Sequence, residues 1–190
     1  MKKPSPFQAR FIMAIASLIG LFASAYLLYT YVSGAPIACG SGSGCDIVRL
    51  SNWAWTFGVP RPLFGVIFYV GMFGMLVARV ATDWQARWLY RLTMGAALLG
   101  FIESAFLFLV QWLDINAFCV WCLASAVAAT VIAVAAWFDH VEDHRAVSAE
   151  RELKYYFMSL LVFTPIAFGA FAYLIQPKAI ETIQQIRSNR

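Results

Sequence analysis

The chain has 190 residues, 62% of them hydrophobic and 13% charged, with a net charge of +4 and a mean hydropathy of +0.71. Soluble domains carry roughly 45–50% apolar and roughly 25% charged residues, so this composition excludes an ordinary soluble globular domain. The modest positive charge carries no nucleic-acid signal and reads as membrane orientation and contact with lipid headgroups.

A membrane-crossing helix needs roughly 20 apolar residues. Runs of that kind fall at about 10–32, 62–81, 93–113, 118–138 and 155–176. They are continuous rather than alternating, which argues for helices and against a β-barrel. The first run follows Lys2, Lys3 and Arg10, as a signal peptide would, but exceeds the roughly 7–15 residues of an h-region, so it is expected to stay as a helix. "PIAC" before Gly40 is a poor lipoprotein cleavage site, because Pro36 fits badly and the apolar run has already ended. The first connection, 33–61, contains "PIACGSGSGCDIV" and so two cysteines, Cys39 and Cys45. The second, "RVATDWQARWLYR", holds Arg79, Arg87 and Arg91, and the third is the tight "QWLDINAF" turn without a base. Cys119 and Cys122 open the fourth run in "NAFCVWCLASA". The fourth connection, "DHVEDHRAVSAERELK", brings Arg145, Arg151 and Lys154. Basic residues favour the cytoplasmic side, which puts the amino-terminal tail and the second and fourth connections there. The first and third connections then lie outside, with a short tail, 177–190, whose Lys178, Arg187 and Arg190 weaken the bias. In that tail Ile180, Ile183 and Ile186 fit a short surface helix.

This topology puts all four cysteines at one membrane face, in an oxidising compartment. Cys119 and Cys122 share a helix face. Cys119 lies near the helix amino terminus, where free N–H groups favour a thiolate. Cys122 lies one turn deeper, so the pair suits a relay from a watery thiol to a lipid-soluble acceptor. Three glycines and two serines between Cys39 and Cys45 make a flexible linker. Such cysteines can visit both an outside partner and Cys119, by exchange through an attacking thiolate. The plainer alternatives are structural disulfides in a non-catalytic membrane scaffold and a zinc site. Zinc is disfavoured by the five residues separating Cys39 from Cys45. Haem attachment would need a histidine where Leu123 stands.

Together the loop cysteine pair, "CDIVRLSNWAWTFGVPRPLFG" and "CVWC" resemble the vitamin K epoxide reductase family, in particular its bacterial disulfide-forming members. The resemblance runs through the first four helices, and the order of the pairs separates it from DsbB-like oxidases, whose CxxC comes first. It implies an all-α integral membrane protein: a four-helix transmembrane bundle around a quinone, residues 1–154, capped by the loop 33–61, with a fifth transmembrane helix at 155–176. It implies catalysis by Cys39, Cys45, Cys119 and Cys122. Cys39 would meet a thioredoxin-like (DsbA-like) extracytoplasmic oxidase, Cys45 would exchange with Cys119, and Cys122 would face the quinone, ubiquinone or menaquinone. The net reaction is dithiol plus quinone giving disulfide plus quinol, at the bacterial cytoplasmic membrane, with no metal or flavin. Many bacterial members continue into a fused thioredoxin-like domain; the residues after the fifth run are too few for one, which leaves a separate partner or a shortened chain.

By the same resemblance Ser51 is the loop serine that holds the loop near the quinone, though it could equally cap a short helix. The aromatic residues Trp53, Trp55, Phe64, Trp112, Phe118 and Trp121 each read first as a membrane-interface belt, and the candidates among them for quinone contact are Phe64 and Trp121. Vertebrate members place an asparagine and a tyrosine on vitamin K where this sequence has Arg61 and Ala126, which argues against epoxide reduction and for a respiratory quinone. Asp46 is read as a solvated loop charge, since a carboxylate beside Cys45 would raise its thiol pKa. Glu103, inside "LLGFIESAFLF", could feed protons to the site. A neutral hydrogen bond between helices is the preferred reading, because no base lies at matching depth by sequence. His140 and His144 read as a solvated helix end rather than metal ligands.

Overall fold

The computed structural model describes residues 6–39, 44–81, 87–139 and 154–170. His140, His144 and the tail 177–190 lie outside them. Helix α1 (Pro6–Ser33) opens on a proline, which is tolerated in a first turn because its N–H would be unpaired there anyway. After the first loop come α3 (Arg61–Ala81), α4 (Arg87–Val110) and α5 (Val120–Phe138), with the short α2 (Gly44–Leu50) inside the loop. Among the described residues, four helices are long and apolar enough to cross a membrane: Phe7–Ser33, Arg61–Arg79, Trp88–Ile115 and Val120–Phe138. These match four of the five expected runs. The fifth run is helical over 154–170 (α6), and 171–176 lie outside the described residues.

α1 packs along both α3 and α5, and α4 closes the bundle against α5 and α3. In lipid, helices gain little from merely hiding apolar surface, so close packing over small residues must hold them together. The core shows that logic. Ala14, Ala16, Ala97, Ala128, Ala135 and Ala136 let the backbones approach, while Met13, Tyr69, Met72 and Ile132 fill the remaining space. Large apolar side chains such as Ile67, Ile102 and Val131 point outward, as a hydrocarbon solvent requires. Hydroxyls inside the spans bond back to their own helix, Ser17 to the Met13 carbonyl and Thr93 to that of Leu89, so neither is left unpaired. The first turns of α6 join the bundle: Tyr156 is buried in this core, and the Tyr155 ring meets Phe7 at 5.6 Å.

The two ends of the bundle are closed differently. At the end where α1 begins and α3 and α5 finish, Asp139 is 1% exposed. It accepts a hydrogen bond from Arg79 at 2.6 Å and lies 3.7 Å from Arg10, so one carboxylate ties three helices. At the other end the first loop forms a cap. There α2 is followed by a 3-10 turn (Asn52–Ala54) and a hairpin of β1 (Trp55–Thr56) with β2 (Val59–Pro60), in the register Trp55↔Pro60 and Thr56↔Val59. The two-residue turn puts Phe57 and Gly58 at φ 53° and 78°. Both must be left-handed in such a hairpin, which suits glycine and strains phenylalanine. Arg49 pins the cap to the bundle by donating to the Ala35 carbonyl at 2.7 Å and to that of Thr30 at 3.3 Å. Trp53 pins its other side by an indole N–H bond of 2.7 Å to Asp114.

Candidate active site

All four cysteines meet under the cap. Cys39 and Cys45 form a disulfide across Cα atoms 6.1 Å apart, within the usual range. The sulfurs of Cys39, Cys45 and Cys119 lie within 4.8 Å of one another, and Cys119 and Cys122 carry free thiols. Three sulfurs so close could in principle ligate a metal, but here two of them are spent on each other as a disulfide.

Each sulfur is placed by its own element. Cys45 sits on the inner face of α2 with Val48, and both pack against Tyr26, Leu27, Ile37 and Cys119. Gly44 just before it lies so close to the Phe118 carbonyl oxygen that a Cβ there would collide with it. That absence lets α2 settle directly on the start of α5. On the other side of the linker, Ala38 is held twice. Its N–H donates to the Tyr26 hydroxyl at 2.9 Å, and its carbonyl accepts from the Trp121 indole at 2.8 Å. The glycine–serine segment 40–43 lies outside the described residues, but both its ends are anchored, and Cys45 is buried at 1% exposure. Of the two loop cysteines expected to reach both a partner and Cys119, Cys45 is enclosed beside Cys119, and Cys39 is half-buried.

Cys119 is the N-cap of α5, with extended backbone at φ −98° and ψ 116°. Its sulfur accepts the Cys122 N–H at 3.3 Å, taking one of the donors a helix start leaves open. The Cys122 thiol bonding to it, reinforced by the Cys122 and Trp121 backbone N–H groups, lowers the Cys119 pKa despite burial and the nearby Asp46. Asp46 itself is paired with Arg49 at 3.0 Å.

Cys122 opens onto a cavity of about 540 Å³, within the range of about 300–1,000 Å³ usual for small-molecule sites. Phe64, Phe68 and Leu107 contribute apolar wall, and Ser51, Arg61 and Ala126 also line it. Of the residues suggested for cofactor contact, Ser51, Phe64, Arg61 and Ala126 thus surround one space, and Trp121 does not. Its ring turns to the other side of α5, 4.6 Å from the Tyr26 ring, and serves the loop rather than the cavity. Positions 121 and 122 are neighbours on a helix and point about 100° apart, so Cys122 facing the cavity turns Trp121 away. Ser51 stands at the N-cap position of the 3-10 turn, yet its hydroxyl donates to the Val48 carbonyl at 2.7 Å and caps nothing.

Glu103 also lines the cavity, and here a sequence expectation fails. It has a basic partner: Arg61 donates to it at 2.6 Å, with side chains 19% and 59% exposed respectively. The two residues are far apart in sequence, and only the packing of α3 on α4 brings the start of one helix to the wall of the other. Among the described residues the Nε atom of Arg61, which is buried, has no hydrogen-bond partner. Sequence reasoning also missed Gln111, whose signal was a lone amide in the apolar "FLVQWL".

The model of the vitamin K epoxide reductase family matches residues 11–137, which span α1 to the last turn of α5 and include every cysteine. The chain belongs to that family. Family membership, the loop disulfide and the adjacent free CxxC together make this a membrane thiol–disulfide oxidoreductase.

Proposed function

We propose that the protein is a quinone-dependent dithiol oxidase that reoxidises a thioredoxin-like extracytoplasmic partner, in support of disulfide formation. The observation that carries this reading is the unbroken path of sulfur from the Cys39–Cys45 disulfide, through Cys119 within 4.8 Å, to Cys122 in the cavity wall. A partner thiolate attacks Cys39, and the partner's second thiol completes its disulfide, leaving Cys39 and Cys45 reduced. Cys45 then attacks Cys119 of an oxidised CxxC, which releases the Cys122 thiolate. Cys39 resolves the mixed bond, restoring the loop disulfide and freeing Cys119. The Cys39–Cys45 disulfide beside free Cys119 and Cys122 has the pairing this sequence would leave: loop oxidised, CxxC reduced. A scaffold with inert bridges gives no reason to keep two free thiols beside a disulfide.

The cavity fits a quinone. Its walls are mostly apolar, it is reached from Cys122, and the unpartnered Nε–H of Arg61 offers a donor for a ring oxygen. Phe64 and Ser51 line the same cavity as Arg61. A quinone bound there supplies the sink for two electrons and two protons as Cys119 and Cys122 close their disulfide. Glu103 keeps Arg61 in place by a charge-assisted bond, and Ala126 leaves space where a larger side chain would intrude. The face bearing the cysteines is the extracytoplasmic one in this reading. Arg10 and Arg79 converge on Asp139 at the opposite, cytoplasmic face of the cell membrane.

Purified protein mixed with a reduced thioredoxin-like protein and a soluble quinone tests the whole reaction. Quinone absorbance should fall with wild type and stay constant with Cys45→Ser or Cys122→Ser. Full turnover by both Cys39→Ser and Cys45→Ser would end the relay.

A further inference from the structure

We propose that Gln111 is the positioning residue of the CxxC, aiming the Cys119 sulfur at the loop disulfide; this rests on the thiol relay above. The last turn of the third span departs from α-helix into a π-helical turn, Gln111–Ile115, closed by Asn116 in the left-handed conformation at φ 52°. Such turns recur at functional sites because they cost hydrogen-bond geometry that packing alone seldom repays. Here the turn makes Gln111 a hub. Its carbonyl accepts the N–H of Asn116 and, at 3.2 Å, that of Ala117. Its side-chain oxygen accepts the Cys119 N–H at 2.9 Å, and its side-chain nitrogen donates to the Leu107 carbonyl at 3.4 Å. Only 4% exposed, it also lines the cavity that Cys122 faces.

One amide therefore ties down the chain on both sides of the turn that delivers the CxxC. The Cys119 N–H precedes the helix and has no partner within it, so a buried acceptor must come from elsewhere. By supplying it, Gln111 fixes the extended backbone of Cys119. From that backbone the sulfur both receives the Cys122 N–H and lies within 4.8 Å of Cys39 and Cys45. Without the acceptor the N–H would seek another bond, and the sulfur would move with it. Thiol exchange needs attacking and attacked sulfurs in line, and a displacement near 1 Å can cost on the order of a hundredfold.

The test is an exchange that needs neither quinone nor partner. In a Cys122→Ser background with the loop disulfide intact, Cys119 thiolate attacks Cys45. The Cys119–Cys45 bond forms, the Cys39–Cys45 bond breaks, and Cys39 leaves as a thiolate. A maleimide traps it, and peptide mass spectrometry reads its labelling rate against a Cys119→Ser/Cys122→Ser control. Gln111→Leu, which removes the acceptor at similar volume, should slow Cys39 labelling by about tenfold or more. Gln111→Glu keeps an acceptor and should restore most of the maximal rate. Its pH profile should move upward, because a carboxylate beside Cys119 disfavours the thiolate. The charged or titratable groups already facing Cys119 are Asp46 and its partner Arg49 on α2, Tyr31 on α1 and Cys122 on α5, and all but Cys122 are common to every variant. An unchanged rate in Gln111→Leu overturns the proposal. So does an equal loss in both variants that follows their melting temperatures, which would make Gln111 merely structural. If the Cys122→Ser parent itself releases no Cys39, the relay fails, and Gln111 has nothing to position.

Discussion

Cys119 does two jobs at one atom: its sulfur caps α5 and faces the loop disulfide. The bond from Cys122 lowers its pKa, so at a given pH more of it is thiolate than for a free cysteine, whose pKa is about 8.5. Alkylation of Cys119 in a Cys39→Ser/Cys45→Ser protein should therefore rise with pH through a midpoint below that of free cysteine. Replacing Cys122 by Ala removes the side-chain donor while keeping the backbone N–H, and the midpoint should shift upward but not fully return. An unmoved midpoint would show that the cap, rather than the neighbouring thiol, sets the reactivity. Trp121 acts at the same scale on the other side. Trp121→Phe keeps the ring against Tyr26 but loses the bond to the Ala38 carbonyl, costing about 1 kcal/mol. Limited proteolysis of the first loop should then become faster.

Between elements, the decisive contact is α2 seated on the start of α5. Gly44→Ala puts a methyl group against the Phe118 carbonyl oxygen, so α2 must lift and carry Cys45 away from Cys119. Thiol exchange between the two pairs should fall on the order of tenfold while the four spans stay folded, since Gly44 lies outside their core. Comparing exchange with the circular dichroism spectrum separates the two effects. A normal exchange rate would mean that the cap shifts freely and that this contact does not set the sulfur distance. The hairpin and the Trp53–Asp114 bond hold the same cap from its far edge, so their loss should act in the same direction.

Across the whole molecule, the end away from the sulfurs depends on Asp139, which binds Arg79 and Arg10 and so fastens α5 to α3 and α1. Asp139→Ala removes the carboxylate that the mostly buried Arg79 bonds at 2.6 Å, and should cost about 3 kcal/mol, read as a lower melting temperature in detergent. This clasp could not be read from the sequence, although each of its charges stood at the end of an apolar run. Four spans were legible, because a bilayer demands a continuous apolar length that local composition displays directly. The cysteines' shared end was legible too, since alternating spans leave each connection only two sides to choose from. The Arg61–Glu103 pair, the turn of Trp121 toward the loop and the seat of Cys119 on Gln111 were not. Each joins residues from different elements, and depends on how helices rotate and approach one another. By itself, then, the sequence determined the spans and the chemistry of the sulfurs, which are properties of single segments. Tertiary structure alone decided which side chains face the cavity and which hold the sulfurs in place, because helix rotation follows from side-chain packing summed over all the contacting helices.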